Sequence, residues 1–261
     1  VGANIAMVLM AAQMGNWDML EQMVRRLQGA GSRMKYCKKP IITCPSGMTL
    51  GGGCEITLHG SRIQAAAELY MGLVEVGVGV IPAGGGCKET VCRVLRGVPA
   101  DVQGSRMPFI QKAFEQIALA KVSRSAEEAC GLMYLRPEDN VSLAREKQIG
   151  QAKEVALGLA RAGYKPPVAP DNLILPGRNG MALFEAGLLQ FNAGGFATDH
   201  DVTVGRKVAY IVCGGDIRPN SAVTEQHLLD LECEAFLSLC GNEKTQARIE
   251  FMLKNGKPLR N

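Results

Sequence analysis

An α/β fold is predicted over residues 1–105, followed by a helical region over residues 106–261. Three observations carry that reading. Short apolar runs of strand length alternate with glycine-rich turns before residue 105, and long segments with helical spacing take over after Gly104. Hydrophobic residues make up 47% and charged residues 21% of the chain, enough apolar material for a packed core.

The elements follow in order. Residues 4–14 (NIAMVLMAAQM) are apolar on most faces and read as a buried helix or turn-helix. Asp18 with Glu21 has the spacing of a capping box, and Leu20, Met23, Val24 and Leu27 continue an amphipathic helix to about Met34. Ile41–Cys44 is a short strand bounded by Pro40 and Pro45. Gly47 to Glu55 is a glycine-rich turn that opens a short helix, and Arg62–Ala65 alternates as a strand. From Leu73 to Gly86 the mixture of Val, Gly and Pro82 rules out a continuous helix, and a helix resumes over 88–96. Six helices are expected beyond: 108–122, 141–162, 181–192, 202–212, 224–240 and 243–254. Ser125 with Glu128 gives a second capping box, Asn255-Gly256 a terminal cap, and the PPVAP stretch 166–170 a linker. Trp17 reads as a core or staple aromatic.

Composition narrows the function. A net charge of +4, from 29 basic and 25 acidic residues, suits a substrate with phosphates but not nucleic acid, and no arginine stripe interleaves with aromatics. The nine cysteines form no CxxC pair and are odd in number, and His59, His200 and His227 lie far from any two-cysteine site. Reduced, mostly buried thiols and a cytoplasmic location are the expectation. No apolar run approaches the ~20 residues of a membrane span. The chain opens Val1-Gly2-Ala3-Asn4, without methionine and straight into an apolar stretch, and so reads as entered in mid-domain, truncated at its amino terminus.

Two glycine turns and two carboxylates carry the chemistry. Val1-Gly2-Ala3-Asn4-Ile5 and Leu50-Gly51-Gly52-Gly53-Cys54-Glu55 each feed a helix, where backbone N–H groups stand unpaired at the positive end of the helix dipole. Two such groups converging on one oxygen make an oxyanion hole. The plainer role of three glycines is close packing of helix against sheet. Glu55 sits in the first turn of a helix in an apolar setting, and Glu75 interrupts an aliphatic run where a carboxylate is costly to bury. Either one alone reads as exposed or ion-paired; as a pair beside glycine turns they suit general acid–base work. His59, on the helix after Glu55, reads as a packing residue. No GxGxxG stands in the right context, since Gly77-Val78-Gly79 runs into Pro82, so nicotinamide binding has no place in this chain.

The segment from Gly47 to Glu89, GMTLGGGCEITLHGSRIQAAAELYMGLVEVGVGVIPAGGGCKE, resembles the active-site region of the crotonase (enoyl-CoA hydratase/isomerase) superfamily. That resemblance implies a spiral of ββα units as the fold, here with a helical carboxy-terminal region. It implies Glu55 and Glu75 as the catalytic pair, and Ala3 and Gly52 as oxyanion donors. Gly51, Pro82, Gly84 and Lys257 are the implied contacts to substrate or coenzyme A; for Lys257, with Lys254 and Arg260, a solvated tail is the alternative. Ser125–Leu132 resembles the family's helix and turn near its own carboxy terminus. Three departures stand out: Asn4 where the family has Asp, Val74 where Pro often precedes the second glutamate, and a helical region from about 137 to 261 that is longer than a simple hydratase needs. The later helices, with phrases such as GNWDMLEQMVRRLQ and LLDLECEAFLSLCG, resemble the end of bacterial fusions of a 3-hydroxyacyl-CoA dehydrogenase to a crotonase module. The implied activity is hydration of a 2-enoyl-CoA in fatty-acid β-oxidation. The partner is then an acyl-CoA and the assembly a homo-oligomer; no cofactor is needed in this chain, and NAD belongs to an upstream domain. Isomerase, thioester hydrolase and a non-catalytic module packed on the dehydrogenase are the alternatives.

Overall fold

The computed structural model describes residues 4–98 and 106–261. It opens with helix α1 (Ile5–Gln13). Asn4 caps it, its side-chain oxygen accepting from the N–H groups of Ala6 (3.1 Å) and Met7 (3.4 Å). Asparagine caps as well as aspartate, so this departure from the family's pattern costs the helix little. Helix α2 (Trp17–Lys35) buries Leu20, Val24, Gln28 and Gly31. Its cap is Asn16, bonded to Met19 N–H, rather than the expected Asp18. Trp17 is the first residue of α2 and is 42% exposed, so it is not a core aromatic.

Five short strands and α3 (Gly52–Leu58) then build two parallel sheets. Strand β1 (Ile42–Thr43) pairs with β3 (Arg62–Ala66), and β2 (Gly47–Leu50) pairs with β4 (Leu69–Gly72), so successive strands alternate between the sheets. β5 (Asn140–Ser142) joins β3 from the other side, in register Ala65↔Val141. Three corrections arise here. Gly47–Leu50, expected as part of a glycine-rich turn, is strand β2, paired along its length with β4. β4 has no clear signature in its four residues, and its parallel partner β2 defines it. Val141 opens no helix: it lies in β5, and helix α7 (Gln148–Arg161) starts only where the Gln148 amide donates to the carbonyls of Pro45 (2.8 Å) and Gln64 (2.7 Å).

Helix α4 (Gly86–Val94) lies at the centre, with every residue from Gly86 to Val91 buried. Around it pack α3, α5 (Met107–Ala118), α9 (Asp199–Val212) and α10 (Glu225–Cys240). One continuous cluster of buried apolar side chains therefore contains residues from both sides of position 105, among them Cys54, Ile81, Val91, Ile110, Val208 and Leu228. α6 (Ala126–Gly131) has half the expected capping box. Ser125 accepts from Glu128 N–H, but the Glu128 carboxylate turns to Arg124 N–H. A full box stands instead at Thr198 and Asp201, and starts α9 three residues before the expected Val202. Helix α8 (Gly177–Ala193) packs on α9, the antiparallel β6 (Leu173–Leu175) and β7 (Ser221–Val223) join the loops, and α11 (Glu243–Asn255) lies on α1. Residues 166–170 form the irregular link from α7 to β6. Among the described residues no helix is long and apolar enough to cross a membrane.

Candidate active site

Glu55 is the fourth residue of α3, and its side chain turns inward, leaving the residue 3% exposed. One carboxylate oxygen, Oε1, accepts from the N–H groups of Gly84 (2.7 Å) and Gly86 (2.9 Å). Those donors belong to the loop that opens α4, where N–H groups lack intrahelical acceptors and the helix dipole favours negative charge. Burial raises the Glu55 carboxyl to about 7, and the two glycine N–H groups and Lys88 restrain that rise. The carboxyl is therefore near balance between its acid and base forms at neutral pH.

The loop must be glycine for identifiable reasons. Gly85 has φ +105°, a left-handed conformation that a side chain resists, and a Cβ there would lie 2.8 Å from the His59 ring. A Cβ on Gly86 would stand 2.7 Å from Pro82 and 2.9 Å from Glu55 Oε1. The backbone approaches the carboxylate because no side chain intervenes.

Glu75 opens a 3-10 turn (Glu75–Val78) directly after β4. Its Oε2 is buried with no hydrogen-bond partner among the described residues. Burial, then the charge of Glu55, pushes its carboxyl well above the usual range. The two glutamates thus meet in one desolvated space with unlike surroundings. Glu55 has two N–H donors and a cation nearby and is the readier to ionise; burial and the charge of Glu55 shift Glu75 toward its protonated form.

His59 completes the underside. Its Nδ1–H donates to the Glu55 carbonyl (2.7 Å), which leaves Nε2 to accept from Lys88 Nζ (3.0 Å). Burial above all depresses its pKa to about 4, so the ring is a neutral packing group, as its sequence context suggested. Lys88 is fully buried and also reaches Glu89 (2.6 Å) and Glu225 (2.6 Å), while Lys35 of α2 reaches the same two carboxylates. Two lysines and two glutamates thereby balance each other inside the protein. A third buried acid, Glu232 of α10, accepts from Gly85 N–H (2.8 Å) and Lys88 N–H (2.7 Å).

Glu225, Glu232 and Lys88 did not stand out in the sequence, yet a signal exists for the first two. Leu228, Leu231, Ala235 and Leu239 make a buried stripe along α10, and Glu225 and Glu232 occupy the same stripe at helical spacing. The other expected site residues are spread more widely. Gly52 opens α3, so its N–H is among those without an intrahelical acceptor, and Gly51 N–H bonds Gly72 O (2.9 Å) at the end of β2. Gly84 gives its N–H to Glu55, and Pro82 is buried beneath Gly86. Lys257 is exposed, one residue past the left-handed cap Gly256 of α11. Ala3 lies outside the described residues.

Solved structures have this architecture. An enoyl-CoA hydratase from Rhodobacter sphaeroides 2.4.1 superposes with a TM-score of 0.63, covering 100% of this chain and 74% of its own at 16% identity. A carnitinyl-CoA dehydratase from Mycobacterium thermoresistibile gives 0.62 over 98% of this chain and 73% of its own, at 14% identity. The fold is the crotonase fold. No protein-family model matches the chain. In sequence, this crotonase-fold chain is 44% identical over 262 residues to a Bacillus subtilis protein named "Probable 3-hydroxyacyl-CoA dehydrogenase", a match covering 100% of this chain and 32% of that protein. It is 36% identical over 90 residues to a crotonyl-CoA hydratase of Syntrophomonas wolfei, covering 34% of this chain and 32% of that protein. The chain thus spans about a third of the length of the Bacillus relative.

Proposed function

We propose that this chain hydrates 2-enoyl-CoA thioesters to 3-hydroxyacyl-CoA, as the hydratase module of a larger fatty-acid β-oxidation enzyme. The observation that carries this reading is the pair of carboxyls in unlike surroundings, one held by two glycine N–H groups and one with a buried oxygen that has no partner among the described residues. Glu55, in its ionised form, takes a proton from water as the water oxygen bonds to the β-carbon. The electrons of the carbon–carbon double bond move to the thioester oxygen, where the N–H groups of Gly52 and Ala3 stabilise the enolate. Collapse of that enolate draws the proton of Glu75 onto the α-carbon. The net change is one water added, and transfer of a proton from Glu55 back to Glu75 resets the pair.

In this reading Gly51, Pro82 and Gly84 shape the floor under the thioester, and the exposed Lys257 meets a coenzyme A phosphate. Two facts support a parent enzyme with dehydrogenase activity: the name of the Bacillus relative, and the third of its length that this chain covers. NAD then binds outside this chain, and a strand–GxGxxG–helix unit upstream is required. Assembly as a homo-oligomer and a cytoplasmic location belong to the same proposal.

The test is loss of the conjugated-thioester absorbance when a 2-enoyl-CoA meets the full-length protein. Glu55→Gln and Glu75→Gln should each lower turnover by roughly 10²–10⁴-fold, with far smaller changes in acyl-CoA affinity. Near-normal turnover in Glu55→Gln overturns the two-carboxylate mechanism. Double-bond migration that depends on Glu75 alone would make the chain an isomerase.

A further inference from the structure

We propose that Glu232, on α10, is a positioning residue for the carboxyl pair: it anchors the same loop whose N–H groups hold Glu55. The donors at the start of α4 are divided between two acids from opposite elements. Gly84 and Gly86 give their N–H groups to Glu55 Oε1, while Gly85 and Lys88 give theirs to the two oxygens of Glu232. The left-handed Gly85 stands between the two donors to Glu55, so neither carboxylate can move without disturbing the donors of the other.

A merely structural role explains Glu232 poorly. The residue has no exposed surface and no cation in contact with its carboxyl among the described residues, and burial and the charge of Glu55 push that carboxyl well above the usual range, so its charged form is costly to fold. A glutamine would fill the same space without a charge. What the carboxyl group adds is an oxygen acceptor for each of two diverging N–H groups, since the amide nitrogen of glutamine would face one of them as a second donor. The groups around it are Glu55 of α3, Glu75 of the 3-10 turn, and Cys87 and Lys88 of α4. Beyond Lys88 lie His59, Glu89, Lys35 and Glu225, and Arg25 of α2 lies near Cys233 on α10.

The rate arm of the test rests on the hydratase reading; the spectroscopic arm does not. In the full-length protein, Glu232→Gln should lower kcat by roughly 10–100-fold, as expected when a reacting group is displaced by a fraction of an ångström. KM should change less than about threefold, and the acidic limb of the pH–rate profile should move. Independently, the carboxyl band of Glu55, isolated as the infrared difference between parent and Glu55→Gln proteins, should titrate at a different pH once Glu232 is glutamine. If the parent protein fails to hydrate enoyl-CoA but this titration still moves, the hydratase reading falls and the role of Glu232 stands. If kcat, pH profile and Glu55 titration all stay put in a folded Glu232→Gln protein, the inference is overturned. Should that variant not fold, Glu232→Asp decides. It keeps the carboxyl group with a shorter reach, and must lower kcat and move the Glu55 titration, or the inference is overturned.

Discussion

At position 55 two demands oppose each other. The proposed hydration needs a carboxylate, and burial penalises one. Glu55 keeps its proton up to about pH 7 in the folded chain, where its ordinary value is 4.5, so folding and proton binding are linked. The sign follows from the raised value: the stability tied to this proton is complete below 4.5 and is lost as pH rises through about 7. Glu55→Gln removes the ionisation and keeps an oxygen for the Gly84 and Gly86 N–H groups. Above neutral pH it should therefore be more stable than the parent, by up to roughly 3 kcal/mol at ~1.4 kcal/mol per pKa unit, with the advantage vanishing in acid. Melting temperatures measured across pH check this; curves that run parallel would show that Glu55 stores no such penalty. A more stable but inactive variant is what an active-site carboxyl predicts.

At the scale of elements, α4 is the hub. Its first turn offers N–H groups to two acids, and its Lys88 and Glu89 join the ion cluster with Lys35 of α2 and Glu225 of α10. Burial opposes ionisation of Glu89, but Lys88 and Lys35 together hold its carboxyl well below the ordinary range. Such a cluster adds little net stability, yet removing one member leaves a buried charge uncompensated. Lys88→Met should cost about 3–5 kcal/mol near neutral pH. A depressed pKa gives stability above the ordinary carboxylate value and loses it as pH falls, so the gap between parent and variant should narrow in acid. Thermal melts at neutral and acidic pH measure both parts. A deficit that does not depend on pH would mean that packing of the lysine stem, rather than charge balance, is what Lys88 supplies.

For the whole molecule, the helical region after residue 105 and the glycine-rich region before it share one core, and α10 carries acids into the site. Leu228 of α10 is fully buried in that core. Leu228→Ala should cost about 2–5 kcal/mol through the cavity it leaves. If the two regions open as one unit, amide hydrogen exchange should accelerate in α4 and α10 by the same factor. Acceleration confined to α10 would mean that the regions unfold separately.

By itself the sequence determined what depends on near neighbours. The spacing of Leu20, Val24 and Leu27 makes α2, the glycine-rich turn expected over Gly47 to Glu55 does open a short helix although its first four residues are strand β2, and Glu55 and Glu75 stand out because acids in apolar runs are costly. Helix starts were less legible, since Asn16 and Thr198 compete with other capping residues within a few positions. Only the tertiary structure decided the rest. β4 and β5 are four and three residues long, and become strands because β2 and β3 offer parallel edges. The loop Gly84–Gly86 met Glu55 from 29 and 31 residues away, and Glu232 met Gly85 across 147. Periodicity records which face of a helix is buried, but not what that face will touch; the partner of a buried charge is settled only when distant segments pack and must satisfy one another's hydrogen bonds.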